Sequence, residues 1–133
     1  DRVRVIQSDV FSALSEESLF PDKAQGRYDL ILSNPPYVDQ QDFDTMPAEY
    51  SQEPVLGLVA GEDGLDIARR ILSEAGQYLK DDGLLVVEVG NSWPALEAAF
   101  PQVAFTWLEF EMGGHGVFVL TGEQLRHHQA DFV

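Results

Sequence analysis

Four consecutive residues, Asn34-Pro35-Pro36-Tyr37, are the best suited to chemistry in this sequence. The residue before a proline is held in extended backbone, so the side-chain amide of Asn34 can project from a fixed position. Pro35 has no N–H, and its backbone therefore presents an acceptor only. Tyr37 offers a flat ring that can stack against a planar group. Two fixed oxygen acceptors beside an aromatic ring would bind a planar NH2 group through its protons.

This motif directly follows an apolar segment, residues 28–33, that predicts a β-strand. Two prolines end the strand because they cannot donate hydrogen bonds to a neighbouring strand. In open α/β sheets, ligands bind at the carboxyl ends of the strands. An alternative is an ordinary turn, in which Asn and Pro are common. The position straight after an apolar strand favours a ligand site.

Segments of strand and helix character alternate along the rest of the chain. Apolar side chains recur at helical spacing over residues 63–80, and residues 84–89 are almost continuously apolar. The first pattern predicts an amphipathic helix and the second a central strand covered on both faces. We also predict strands at residues 3–7, 103–110 and 117–121 and a helix at residues 91–100. Residues 12–20 have a weak pattern that fits a short helix or a loop, and residues 123–133 fit a terminal helical turn or a frayed end. This alternation indicates an α/β fold with a mostly parallel sheet, closed by an antiparallel hairpin of the last two strands.

Composition restricts the class of protein and the kind of partner. The chain has 133 residues, enough for one domain, with 8 Lys and Arg against 23 Asp and Glu and a net charge of −15. Such acidity disfavours direct binding of nucleic acid and suits a basic protein partner. The absence of cysteine excludes disulfides and thiol nucleophiles and fits a cytoplasmic protein. No apolar run approaches the roughly 20 residues of a membrane span, and we expect no metal site.

The chain opens on Asp1, and a strand-like alternation begins at once, without a preceding cap or turn. We interpret residues 1–133 as the downstream part of one catalytic domain in a longer protein. Part of any active site is then expected upstream of Asp1.

The segment Asp-Leu-Ile-Leu-Ser-Asn-Pro-Pro-Tyr, residues 29–37, resembles the amino-methylating branch of the class I S-adenosylmethionine-dependent methyltransferases. Three further stretches resemble the protein-glutamine N5-methyltransferases: Ser-Asp-Val-Phe at 8–11, Glu53-Pro54 with Gly57-Leu58, and Asp-Gly-Leu at 63–65. Residues 56–66 and 105–118 are similar to the branch of that family that acts on the third large-subunit ribosomal protein. The resemblance covers essentially the whole chain.

For the fold, the resemblance implies a Rossmann-like sheet with strand order 3-2-1-4-5-7-6, of which this chain lacks the first two strands. The family's glycine-rich cofactor loop and N-terminal helical region then lie upstream. The isolated chain is accordingly expected to be inactive and to bind S-adenosyl-L-methionine weakly. Residues 28–33 would become an exposed sheet edge, beside which residues 3–7 dock or through which two copies associate.

For the site, the resemblance implies a role for each matching residue. Asp9 corresponds to the acidic position beside the adenine of the cofactor, and Val10 to the neighbour that packs on that ring. Asn34 and Pro35 correspond to the acceptors for the glutamine amide, with Asn34 also close to the cofactor, and Tyr37 flanks the amide. Pro36 belongs to the same substrate-binding motif.

The implied reaction is methyl transfer from S-adenosyl-L-methionine to the N5 nitrogen of a glutamine, in a basic ribosomal protein. Three alternatives remain open: a release-factor glutamine methyltransferase, a methyltransferase for exocyclic amines of DNA or RNA, and a non-enzymatic acidic α/β domain. We interpret Trp93 and Trp107 as packing residues, His115 as a turn residue, and the acidic segment 39–53 as solvated.

Overall fold

The computed structural model describes residues 3, 5–15, 28–35 and 65–133. These ranges contain four strands: β1 (Tyr28–Ser33), β2 (Leu79–Glu88), β3 (Thr106–Trp107) and β4 (Val117–Thr121). They also contain four α-helices: α1 (Asp66–Glu74), α2 (Trp93–Ala99), α3 (Gly122–His127) and α4 (Gln129–Phe132). Short 3-10 helices occupy Ser12–Ser15, Ala75–Gln77 and Gly90–Ser92.

The four strands form one mixed sheet in the order β1-β2-β4-β3. Strand β2 runs parallel to β1 and antiparallel to β4, and β3 runs antiparallel to β4. The predicted α/β class and the closing hairpin are therefore confirmed. The described part of the sheet is not mostly parallel, because only the β1–β2 pair is parallel, and the strand predicted at residues 103–110 is limited to Thr106–Trp107, the residues that pair with β4. The order is that of the last four strands in the sheet implied by the resemblance.

One face of the sheet packs against helices, and the other is open within the described part of the chain. Leu85, Val87 and Phe118 are fully buried in a core that includes the apolar sides of α1, α2 and α3. On the opposite face, Leu32 is 69% exposed and Leu84 is 39% exposed. Within the described residues, the prediction that residues 84–89 are covered on both faces is not confirmed, because an apolar run does not specify which faces receive a helix.

Strand β2 begins at Leu79 rather than at the predicted residue 84. Tyr28 pairs with Leu79 and Leu30 with Leu84, so the extra residues of β2 are accommodated in an irregularity of the register. Arg126 of α3 donates to the carbonyl of Leu79 at 2.9 Å and also pairs with Asp81. Arg126 lies far from β2 in the sequence. The local pattern of residues 63–80 therefore predicts the end of a helix at the point where contacts with this distant residue form a strand.

The predicted strand at residues 3–7 is also wrong, since residues 3 and 5–7 adopt no strand and do not dock beside β1. Val3 is 79% exposed and Val5 is 93% exposed. An extended segment becomes a strand only when a neighbour accepts its hydrogen bonds. Within the described residues, β1 is bonded to β2 alone and forms the edge of the sheet. Self-association through this edge stays a prediction.

The helices are short, and a side-chain cap is formed at α3 but not at α1 or α2. Helix α2 starts one residue after Ser92 with a proline in its first turn, close to the predicted range. Helix α3 begins with a capping box in which Thr121 and Gln124 exchange side-chain and backbone hydrogen bonds. The segment at residues 12–20, predicted as a short helix or a loop, forms a single 3-10 turn over Ser12–Ser15, and its remaining residues lie outside the described ranges. Among the described residues, no helix has the length and apolar character needed to cross a membrane.

A glycine turn leads into β4 and joins it to the end of β2. Gly116 has a φ of +74°, and a Cβ atom there would overlap the backbone of Gly90. Val89 donates its N–H to the Gly116 carbonyl at 2.7 Å, which fixes this close approach. Gly113, in the same turn, has a φ of +89°, but a Cβ atom there would have no neighbour within 4 Å.

We expect Gly116→Ala to lower the free energy of unfolding by about 3 kcal/mol, through backbone strain plus overlap. Gly113→Ala is the matched control, and it should cost about 1 kcal/mol because it adds strain alone. Urea unfolding of the chain, followed by circular dichroism, measures both. Equal losses for the two variants would show that the overlap with Gly90 is not important.

Candidate functional site

Asn34 lies at the carboxyl end of β1, as predicted, and is exposed. Since β1 and β2 are parallel and β4 is antiparallel, the carboxyl ends of β1 and β2 meet the amino end of β4 at one edge. A hollow of about 280 Å³ opens there, which we call the amide hollow. Its lining comes from the three strands and the residue after β1: Leu32, Ser33, Asn34, Val86, Glu88 and Val117.

Pro35 and Val10 line a second hollow on the helix-covered side of β1, of about 220 Å³. Its walls are mostly apolar and include Phe11, Ile31 and Ile67. Val10 has a φ of +55°, a left-handed conformation that is uncommon for a β-branched residue. Such strain persists only where the surroundings determine it, and it is frequent at ligand sites. This hollow offers an apolar wall for a flat ring.

Asp9 borders a third hollow, of about 520 Å³, together with Gln7, Ser8, Ser12 and Ala13. Its Oδ1 accepts a hydrogen bond of 2.9 Å from Nη1 of Arg70 in α1. That hydrogen bond raises the pKa of Arg70 above its usual value, so the guanidinium stays charged. The pair is largely exposed, so its contribution to stability is small. The hydrogen bond from Arg70 therefore holds the carboxylate of Asp9 at the rim of the hollow.

The structure thus brings Val10, Asn34 and Pro35 to the carboxyl end of β1, where they line two hollows, whereas the hollow beside Asp9 includes no residue of β1. Asn34 and Pro35 face different hollows, since successive residues of an extended segment point to opposite sides. Pro36 and Tyr37 lie outside the described residues, as does the acidic segment 39–53.

Sequence reasoning missed Glu88, which is partly buried and lines the amide hollow beside Asn34. It pairs with Val117 across the sheet at the last position of β2. One signal could have identified it, because Glu88 is the only charged residue in the apolar segment 84–89.

A fourth hollow, of about 280 Å³, lies at the same edge on the far side of β4. We call it the aromatic hollow, and its lining is Trp93, Trp107, Leu108, His115 and Gly116. Trp107 packs against Phe105 and Phe118, in agreement with its interpretation as a packing residue. It also lines the aromatic hollow. His115 donates from Nε2 to Oδ1 of Asn91 at 2.5 Å, which ties the glycine turn to the end of β2.

The described cations are all occupied by carboxylates. Their partners are Asp66 for Arg69, Asp9 for Arg70, Asp29 for Lys80 and Asp81 for Arg126. The described surface therefore offers no lysine or arginine that is not already paired, and phosphate backbones bind chiefly to such residues. Within the same ranges, no group of three or more histidine or acidic residues is arranged to hold a metal ion.

Comparison with known proteins identifies relatives of this chain. A ribosomal protein uL3 glutamine methyltransferase of Francisella tularensis is 51% identical over 132 residues, which are 99% of this chain and 39% of the relative. Proteins of the same name from Neisseria meningitidis serogroups A and B are each 46% identical over 125 residues, 94% of this chain and 38% of the relative. No protein-family model matches the chain.

The chain spans about two-fifths of the length of these curated relatives. Identity of this order over more than 100 residues reflects common ancestry. The sequence resemblance to glutamine methyltransferases is therefore confirmed by relatives that bear that name. Over nearly its whole length, this chain is homologous to a part of the ribosomal protein uL3 glutamine methyltransferases.

Proposed function

We propose that this chain is the amide-binding part of a Rossmann-like, S-adenosyl-L-methionine-dependent methyltransferase, which methylates the N5 nitrogen of a glutamine in ribosomal protein uL3. The observation on which this depends is the position of Asn34 and Pro35 at the carboxyl end of β1, with Asn34 lining the amide hollow. The names of the curated relatives support the reaction and the substrate. The remaining parts of the catalytic domain, including the glycine-rich cofactor loop, are assigned to residues upstream of this chain.

The chemical difficulty is the weak nucleophilicity of an amide nitrogen, whose lone pair is delocalised into the carbonyl. Asn34 Oδ1 and the carbonyl oxygen of Pro35 each accept one N–H bond of the glutamine amide. Two fixed acceptors select the geometry in which the lone pair points away from them. This is positioning together with electrostatic preorganisation, and no side chain becomes covalently attached.

Glu88 adds a negative charge next to this site. Because it lines the amide hollow with Asn34, its carboxylate favours the positive charge that develops on the nitrogen during transfer. The proton leaves after transfer, when the nitrogen is strongly acidic, so the reaction needs no strong general base.

The residues on the other side of Asn34 suit the proposed cofactor. Asp9 presents a carboxylate that can accept from an exocyclic amine, and the Val10 and Pro35 hollow presents an apolar wall for a purine ring. When bound, S-adenosyl-L-methionine supplies an electrophilic methyl group on a sulfonium. The chain's own residues hold its adenine end and place the amide of the substrate.

The electrostatics favour a protein substrate over nucleic acid. The net charge is −15, and each described lysine and arginine is paired with a carboxylate. A ribosomal protein is basic and complements such a surface, whereas a nucleic acid would be repelled. We accordingly assign the reaction to the cytoplasm, and we disfavour both the nucleic-acid methyltransferase and the non-enzymatic domain.

Asn34→Ala in the intact enzyme is expected to lower kcat by about 100-fold or more, in line with the loss of one preorganised hydrogen-bond partner. Cofactor affinity should change little, since the main cofactor contacts are assigned elsewhere. Gln77→Ala removes an exposed amide at the opposite edge of the sheet and serves as control. Radiolabelled methyl transfer measures both, and full activity of the Asn34 variant contradicts the assignment.

Asp9→Asn is expected to weaken S-adenosyl-L-methionine binding about tenfold, because a charge-assisted hydrogen bond becomes a neutral one. Arg70→Gln is the matched control, since it breaks the same ion pair but keeps the carboxylate. It should weaken binding far less than the Asp9 variant. Isothermal titration of the intact enzyme separates the two, and equal losses would assign the effect to the ion pair instead of the cofactor contact.

The substrate assignment is tested by mixing the intact enzyme and labelled cofactor with uL3, a release factor and ribosomal RNA in parallel. We expect one methyl group on a glutamine of uL3, located by mass spectrometry, and none on the other two. Methylation of a release factor alone would show that the substrate is a release factor and not uL3. Methylation of RNA alone would contradict the glutamine reaction.

A further inference from the structure

The aromatic hollow lies on the same edge of the sheet as Asn34, at the end of a continuous row of paired strands. Ser33 pairs with Val87, and Glu88 pairs with Val117. Leu108, the residue after β3, donates its N–H to the carbonyl of Val117 at 2.9 Å. The amide hollow opens on the uncovered face and Trp107 lies with Phe118 on the helix-covered face, so a substrate must run along the edge itself from Asn34 to reach the aromatic hollow, across three strand spacings.

The spacing between neighbouring strands gives the separation of β1 and β3. Neighbouring strands lie about 4.8 Å apart, so β1 and β3 are separated by roughly 14 Å. An extended polypeptide advances about 3.4 Å per residue. A peptide with its glutamine at Asn34 thus places a side chain in the aromatic hollow about four residues away.

The lining of the hollow suits a cation. The rings of Trp93 and Trp107 have centroids 6.0 Å apart and are inclined at 64°, so two indoles border the same space. Glu97 Oε1 accepts a hydrogen bond of 2.7 Å from Nε1 of Trp107. The indole faces attract positive charge, and the carboxylate at the ring edge strengthens that attraction.

The surroundings add charge of the same sign. Glu109 follows the lining residue Leu108 directly, and Glu109 and Glu97 are both exposed. The described cations pair with carboxylates on other elements, so none of them neutralises Glu97. A volume of about 280 Å³ is ample for one long side chain. Arginine is favoured over an apolar side chain because its planar guanidinium can stack on an indole while pairing with a carboxylate.

We propose that the aromatic hollow binds an arginine side chain of the polypeptide substrate, about four residues from the glutamine that is methylated. This inference depends on the proposed function for its substrate, and it assigns a role in substrate selection to Trp93 and Glu97. The contact is made by the ground state and the transition state alike, so it acts on KM and leaves kcat unchanged.

The test uses the intact enzyme and synthetic glutamine peptides in which a single arginine is placed at successive distances from the glutamine. We expect kcat/KM to be highest when the separation is about four residues. Glu97→Gln keeps an oxygen acceptor for Trp107 but removes the charge, and it should raise KM for that peptide about tenfold. Trp93→Ala should do the same, whereas a peptide with methionine in place of arginine should not distinguish the variants from wild type.

The matched control is Glu123→Gln, the same change at an exposed position of α3. It should leave KM unchanged for every peptide. A flat arginine profile, or a Glu97→Gln variant that behaves like Glu123→Gln, overturns the proposal. A loss with Trp93→Ala but not with Glu97→Gln would also overturn it, because the occupant would then be apolar.

A binding measurement separates this proposal from the proposed function. Fluorescence anisotropy of the labelled arginine peptide, without methyl donor, should show binding about tenfold weaker for Glu97→Gln than for wild type. If that difference in binding is present but uL3 receives no methyl group, the arginine site is supported and the proposed reaction is wrong. If uL3 is methylated but the difference in binding is absent, the proposed reaction is supported and the arginine site is wrong.

Discussion

Everything at the candidate site depends on how β2 is paired. Its parallel ladder with β1 and antiparallel ladder with β4 bring two carboxyl ends and one amino end to the same edge. Asn34, Glu88 and Val117 can line one hollow only because of this arrangement. An antiparallel β1 would place Asn34 at the opposite end of the sheet, far from Glu88.

The two edges of the sheet differ in what they do. At the amino edge, Arg126 donates to the carbonyls of Gly76 and Leu79 and pairs with Asp81, so that edge is closed by contacts within the chain. At the carboxyl edge, the described side chains leave hollows beside Asn34 and Trp93. Contacts within the chain and open hollows are thus divided between the two ends of the same strands, and in α/β folds ligands usually bind at the carboxyl end.

The acidic character of the chain has a structural counterpart. Because the described cations are paired on the surface, the excess carboxylates determine the local potential, including that of Glu97 beside Trp107. Under the proposed function, long-range attraction of a basic polypeptide and local selection of one arginine would be two effects of the same surplus charge. The first is screened by salt, whereas a contact in a partly enclosed hollow is screened less.

Sequence patterns located the strand that ends in Asn34 and predicted α2 and β4 closely, because each has a local signal. Two prolines end β1, Ser92 precedes a helix that contains Pro94, and a continuous β-branched run is typical of a strand. Residue types also predict Asn34 and Pro35 as acceptors, because the chemistry of those groups does not depend on the fold, and their role stays a prediction.

By itself, then, the sequence determined the acidic charge and the positions of the elements that end in prolines, caps or glycines. The tertiary structure decided the start of β2, which depends on Arg126 of a distant helix, and the loss of the strand at residues 3–7, which has no ladder partner in the described chain. Only the tertiary structure shows that Glu88 lies beside Asn34, and Trp93 beside Trp107. Such groupings depend on strand order and on which face receives the helices, and both are fixed by contacts between residues that are far apart in sequence.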